Sequence, residues 1–168
     1  MMRLTLAPAA LVALAPASAF AANYLSPEQA AKLMFPDADR FDMQTLLPAG
    51  SSRPLGVRIA KKGDAVLGYL VLDDVIGKVE LISYAVGVAT DGSVKQVEIL
   101  AYRESHGGEI RLPAWRKQFI GKTAAAPLRI GEDIANISGA TLSCTHVTDG
   151  VRRIVAALSA ARRAGTLG

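Results

Sequence analysis

The chain has 168 residues, 51% of them apolar and 20% charged, with 19 Lys and Arg against 15 Asp and Glu for a net charge of +4. Such a length and balance describe a single globular domain, and exclude a large multidomain enzyme, a disordered tail and a collagen-like or disulfide-stapled fold. The basic excess is mild and aromatics make up only 5% of the residues, too little to argue for a nucleic-acid partner.

Residues 1–21 read as a secretory signal peptide. Arg3 supplies the positive start, Leu4 to Ala15 the apolar run, and Ala19-Phe20-Ala21 a small-x-small cleavage site. Cleavage after Ala21 is expected, with cleavage after Ala19 as the alternative. Pro8 and Pro16 interrupt the run, which is too short to span a bilayer comfortably. Cys144 is the single cysteine, so no internal disulfide forms and no cysteine near residue 21 can carry a lipid. The expected product is a soluble protein of the periplasm.

Ser26-Pro27-Glu28-Gln29 reads as a helix start, with a serine cap, proline at the first helical position and glutamine three residues after the cap. Ala30, Leu33 and Met34 continue it as an apolar stripe, ended by Phe35-Pro36. An extended segment is expected over Phe41–Leu47, then a loop at Pro48–Ser52. From Val57 the pattern turns to β: Val57-Arg58-Ile59 alternates, Lys61–Asp64 is a turn, and Ala65–Leu72 is a strand that Asp73–Lys78 should interrupt. Val79–Ala89 and Val94–Tyr102 flank Asp91-Gly92, a dipeptide suited to tight hairpins. Short connections of this kind predict antiparallel pairing. A polar turn over Arg103–Ile110 and a short helix over Pro113–Phe119, carrying Trp115 and Phe119, come next. Val147, Val151, Ile154, Val155 and Leu158 recur at helical spacing, with Arg152 and Arg153 off the stripe and Asp149 placed to pair with Arg153. The predicted fold class is α+β: a twisted antiparallel sheet with a C-terminal helix packed on it and a short N-terminal helix.

Chemistry concentrates in Asp133-Ile134-Ala135-Asn136-Ile137-Ser138-Gly139-Ala140-Thr141-Leu142-Ser143, just ahead of the last helix. Free backbone N–H groups and the positive end of the helix dipole favour a phosphate at such a place. Gly139 and Ala140 allow a ligand close to the backbone. The same serines and threonines would serve equally as plain helix caps. His106 and His146 are isolated and suggest no metal site.

The segment from Asp133 to Ser143 resembles the flavinylation motif of the FMN-binding domain family: an Asp, then Ser/Thr-Gly-Ala-Thr followed by x-Ser/Thr. That family includes the covalent-flavin subunits of the sodium-translocating NADH:quinone reductase and the Rnf complex, together with small exported stand-alone FMN-binding proteins. A second block, Tyr102-Arg103-Glu104-Ser105-His106-Gly107-Gly108-Glu109-Ile110 followed by Phe119-Ile120-Gly121-Lys122, resembles the family's Glu-Thr-Pro-Gly turn and Phe-x-Gly-Lys segment. His106 stands where the respiratory-complex subunits have proline.

The resemblance implies FMN held by a phosphodiester on Thr141, installed by a periplasmic flavin transferase that uses FAD. It further implies that Ser138, Gly139, Ala140, Leu142 and Ser143 shape the phosphate loop, that Asp133 orients the motif for modification, and that Glu104 and Ser105 reach the ring or ribityl chain. Thr145 and the backbone near Cys144 are further phosphate donors or capping groups. Trp115 and Tyr102 are core residues or walls of the ring. Residues 22–60 then form the N-terminal helix and extended segment of the same domain, and residues 61–168 the FMN-binding part. The implied function is that of an exported electron carrier serving membrane-bound or periplasmic redox proteins, rather than a stand-alone enzyme. Two alternatives stay open: an FMN-dependent reductase component in which Glu104 or His106 handles protons, and an unmodified, non-redox binding module.

Overall fold

Asp91-Gly92 closes a hairpin between β5 (Leu81–Ala89) and β6 (Val94–Tyr102), with Gly92 at φ +92°, the left-handed conformation that glycine adopts without penalty. The structure, a computed structural model, describes residues 22–168. The expected signal peptide and its cleavage site lie outside the described residues. Ahead of the hairpin come β1 (Ala22–Asn23), α1 (Pro27–Met34), β2 (Arg40–Leu46), β3 (Leu55–Lys62) and β4 (Ala65–Ile76). After it come a 3-10 turn at Gly108–Arg111, α2 (Pro113–Arg116), a second 3-10 turn at Lys117–Phe119 and α3 (Thr141–Arg163).

The six strands form one antiparallel sheet in the order β1-β6-β5-β4-β3-β2. Strand alternation sends the two sets of side chains to opposite faces. Ile82, Tyr84, Val86 and Val88 join Val57, Ile59, Val71, Val97 and Ile99 in a core completed by Val147, Val151, Ile154, Val155 and Leu158 of α3. Each fully buried aliphatic side chain there contributes roughly 1.5–3 kcal/mol. Ala60, Leu70, Ala85 and Leu100 lie in a second cluster, against Ala30, Ala31, Met34 and Phe35 from α1 and its end. The α+β architecture is as the pattern predicts. The capping box at Ser26 also forms, its hydroxyl accepting from Gln29 N–H while the Gln29 side chain accepts from Ser26 N–H.

Three local expectations are corrected. Asp73 does not interrupt β4; the strand runs on to Ile76, paired with β5 throughout. The Asp73 carboxylate points inward, where it is ion-paired with Arg53 at 2.8 Å and with Arg153, and accepts the Tyr84 hydroxyl at 2.6 Å. Asp74, on the other face, is exposed. The turn is therefore shorter than expected, and β5 begins at Leu81 rather than Val79, with Gly77 N–H donating to Glu80 C=O at 2.8 Å. Finally, Asp149 pairs with Arg152 at 2.8 Å instead of Arg153, because Arg153 is committed to Asp73. Burial pushes the Tyr84 phenol up, and the Asp73 charge beside it adds to the shift.

Candidate functional site

The two motif blocks meet at the end of β6. Tyr102, the last residue of the strand, turns its hydroxyl toward the His106 carbonyl, to which it donates, and toward Ser143 Oγ at 3.0 Å on the first turn of α3. Gly107, at φ +87°, closes the junction: a Cβ there would stand 2.7 Å from the Ala140 Cβ and 2.7 Å from the Tyr102 hydroxyl. The turn after β6 and the start of α3 thus touch through positions too crowded for a side chain. Around this junction lies an open cleft of about 640 Å³, within the range of cofactor-sized sites. Glu104, Ser105, His106 and Gly107 line it together with Ser138 and Gly139.

The helix start has an unusual cap. Ile137 to Ala140 form a turn, Ala140 N–H donating to Ile137 C=O at 3.0 Å, with Gly139 at φ +83° and open space where its Cβ would be. Ala140 is the N-cap, and no side chain caps the helix. The two serines that might have done so are placed otherwise. Ser138 lines the cleft and Ser143 is buried against Tyr102. The N–H groups of Thr141, Leu142 and Ser143 have no acceptor within the helix, which is the condition for holding an anion. Thr141 is exposed at the first helical position, and its hydroxyl accepts from Asn136 Nδ2 at 2.9 Å, so its own proton stays free. An uncapped helix start, an unobstructed glycine and an adjoining cleft fit a flavin phosphate and ring. Leu142 is exposed, Ala140 buried beneath the turn, and Thr145 half-buried.

Asp133 holds the approach to this turn. Its carboxylate accepts from Arg129 N–H at 2.9 Å and Leu128 N–H at 3.2 Å, and pairs with Lys122 Nζ at 3.0 Å. Partial burial would raise its pKa, but the two backbone donors and Lys122 outweigh this and hold it below the usual carboxylate range. Leu128 adopts φ +47°, a costly conformation for a non-glycine residue that the Asp133 contact fixes in place. The Lys122 of the Phe-x-Gly-Lys segment therefore meets the leading acid of the motif. Farther along, Ala135 is clamped on both sides: its carbonyl accepts Trp115 Nε1–H at 2.8 Å, and its N–H donates to Gln118 Oε1 at 2.7 Å.

Glu104 lines the cleft, yet one of its oxygens accepts from Val79 N–H at 2.6 Å and Glu80 N–H at 2.9 Å. Burial works to raise its pKa, and those N–H donors, with Lys78 nearby, pull it below the usual range. Glu104 thereby fastens the β4–β5 turn to the cleft. His146 does the same from α3, its Nδ1 bonded to the Ile76 carbonyl at 2.5 Å. Ser105 bonds to the His106 ring at 2.9 Å and is exposed. Trp115 and Tyr102 are buried, and burial raises the Tyr102 phenol. Cys144 is a buried free thiol, its pKa raised by desolvation. The sequence reading missed Ala22 and Tyr24, which also line the cleft; only the pairing of β1 with β6 brings them there.

Fold and site together define an α+β domain with an open cleft beside the uncapped start of its long helix. Residues 77–156 match the family described as FMN-binding domain. That match supports FMN as the cofactor of this segment. The match runs from the β4–β5 turn into α3 and takes in both motif blocks. No curated protein matches the chain.

Proposed function

We propose that the protein is an exported electron carrier whose FMN is esterified to Thr141. The observation that carries this reading is the exposed Thr141 hydroxyl at an uncapped helix start beside the cleft. In the maturation step a flavin transferase brings FAD to the folded chain. Thr141 Oγ attacks the phosphorus on the flavin side of the pyrophosphate. A P–O bond to Thr141 forms, the bridging P–O bond breaks, AMP departs, and the hydroxyl proton passes to solvent water. Asn136 positions the oxygen, while the N–H groups at the helix start and the helix dipole stabilise the charge gathering on the phosphate.

Asp133 and Lys122 fix the loop that carries the motif, and Gly139 keeps the approach open. When bound, FMN supplies reversible transfer of one or two electrons. A tether keeps the cofactor at an effective concentration of roughly millimolar or more, so a shallow site suffices where free flavin is scarce. An open cleft also suits exchange with other proteins. Ile76 and Val79 at the β4–β5 turn and Leu142 on α3 are exposed apolar residues close to the site, a rim suited to a transient protein partner. In this reading the protein works in the periplasm, soluble after signal cleavage, and exchanges electrons with redox proteins that are membrane-bound or periplasmic.

The test is the intact mass of protein secreted together with a flavin transferase. One added FMN residue, absent from Thr141→Ala, is the expected result; an unmodified wild type would overturn the reading.

A further inference from the structure

We propose that Tyr24, backed by Arg111, is the wall against which the isoalloxazine ring of the flavin rests. The inference deepens the reading of a flavin on Thr141 and rests on it. The chain has few aromatics, and the fold hides nearly all of those described. Phe35, Tyr69, Tyr84, Tyr102, Trp115 and Phe119 are buried, and Phe41 is half-buried. Among the described residues Tyr24 is the one exposed aromatic, at 36%, and it lines the same cleft as Ser138 and Gly139.

Its placement is fixed rather than floppy. Tyr24 N–H donates to Leu100 C=O at 2.8 Å, immediately after β1 pairs with the end of β6. The capping box at Ser26 secures the chain on the other side. The Arg111 guanidinium lies 5.1 Å from the Tyr24 ring centroid, a cation–π contact that orients the ring and brings a fixed positive charge to the cleft. An electron-rich phenol is a good stacking partner for the flat, electron-poor flavin ring. Tyr24 lies outside residues 77–156. The wall is thus supplied by the N-terminal part of the chain, by the residue that follows the short strand β1.

The test uses flavin emission rather than electron transfer. A stacked tyrosine quenches flavin fluorescence by donating an electron to the excited ring; phenylalanine of the same shape donates poorly, and alanine not at all. Wild type, Tyr24→Phe and Tyr24→Ala are secreted with the flavin transferase, and emission per attached flavin is read before and after denaturation. The expected result is dim native emission in the wild type that rises severalfold on denaturation, and bright native emission in both variants at equal flavin content. A native-to-denatured ratio unchanged in both variants would overturn the proposal. If the wild type carries no covalent flavin, the reading of Thr141 fails. Free FMN added to the same three proteins then decides the wall separately: quenching by wild type but not by the variants supports it, and equal emission refutes it.

Discussion

Gly107 and Gly139 offer a paired test of how the two motif blocks are joined. Both adopt left-handed φ, +87° and +83°, so an alanine at either position carries a similar backbone penalty of about 1–2 kcal/mol. Their surroundings differ. At Gly139 nothing stands within 4 Å of an added Cβ, whereas at Gly107 it would lie 2.7 Å from both the Ala140 Cβ and the Tyr102 hydroxyl. Overpacking of that kind costs a further ~1–3 kcal/mol. Gly107→Ala should therefore lose about 2–5 kcal/mol and Gly139→Ala about 1–2 kcal/mol, the unfolded-state effect being common to both and cancelling in the comparison. At this chain length each kcal/mol moves Tm by roughly 2–4 °C. Thermal unfolding followed by circular dichroism reads the difference. Equal losses in the two variants would refute the close contact between the Glu104–Gly107 turn and the helix start.

Asp133→Ala removes the acceptor of two backbone N–H groups and the partner of Lys122. It should cost about 2–3 kcal/mol, because the bonds are charge-assisted but partly wet, and leave the chain folded. Flavin attachment should drop, and equal flavin content in mutant and wild type would contradict the orienting role. The pKa values of Asp133 and Glu104 are depressed in the folded chain. Their stabilisation is complete above the unfolded values of 3.8 and 4.5 and is lost as pH falls through the lower folded values. Acid titration of stability should show this loss, reduced in Asp133→Ala; identical acid profiles would count against it. Asp73→Ala leaves Arg53 and Arg153 facing each other without their carboxylate. A loss of about 2–4 kcal/mol is expected, below the full value for a buried pair because both arginines reach solvent. Denaturant melts giving less than ~1 kcal/mol would show that the cluster carries little of the stability.

What was legible in the sequence was local. The Ser26 box, the Asp91-Gly92 hairpin and the bounds of β6 depend on neighbours within a few residues, so the residue pattern suffices. The α3 stripe is equally local, and every member of it is buried. Asp73 was misread because its reason for being in a strand is Arg153, far along the chain, and an isolated Asp-Asp pair resembles a turn. Ser143 likewise has the composition of a cap but serves Tyr102 instead. Tyr24 carried no local signal at all. Its position in the cleft depends on β1 adding to the sheet edge beside β6, a pairing between the first and last strands of the chain that no nearby residue announces.

Peptide mapping of the secreted, flavin-loaded protein tests most directly which hydroxyl carries the cofactor. Trypsin cuts after Arg129 and Arg152 and releases Ile130–Arg152, which holds Ser138, Thr141, Ser143, Thr145 and Thr148 on one fragment. Fragmentation should place the flavin phosphate on Thr141. Flavin on Ser138, Ser143 or another hydroxyl of that peptide, or an unmodified peptide, would contradict the account.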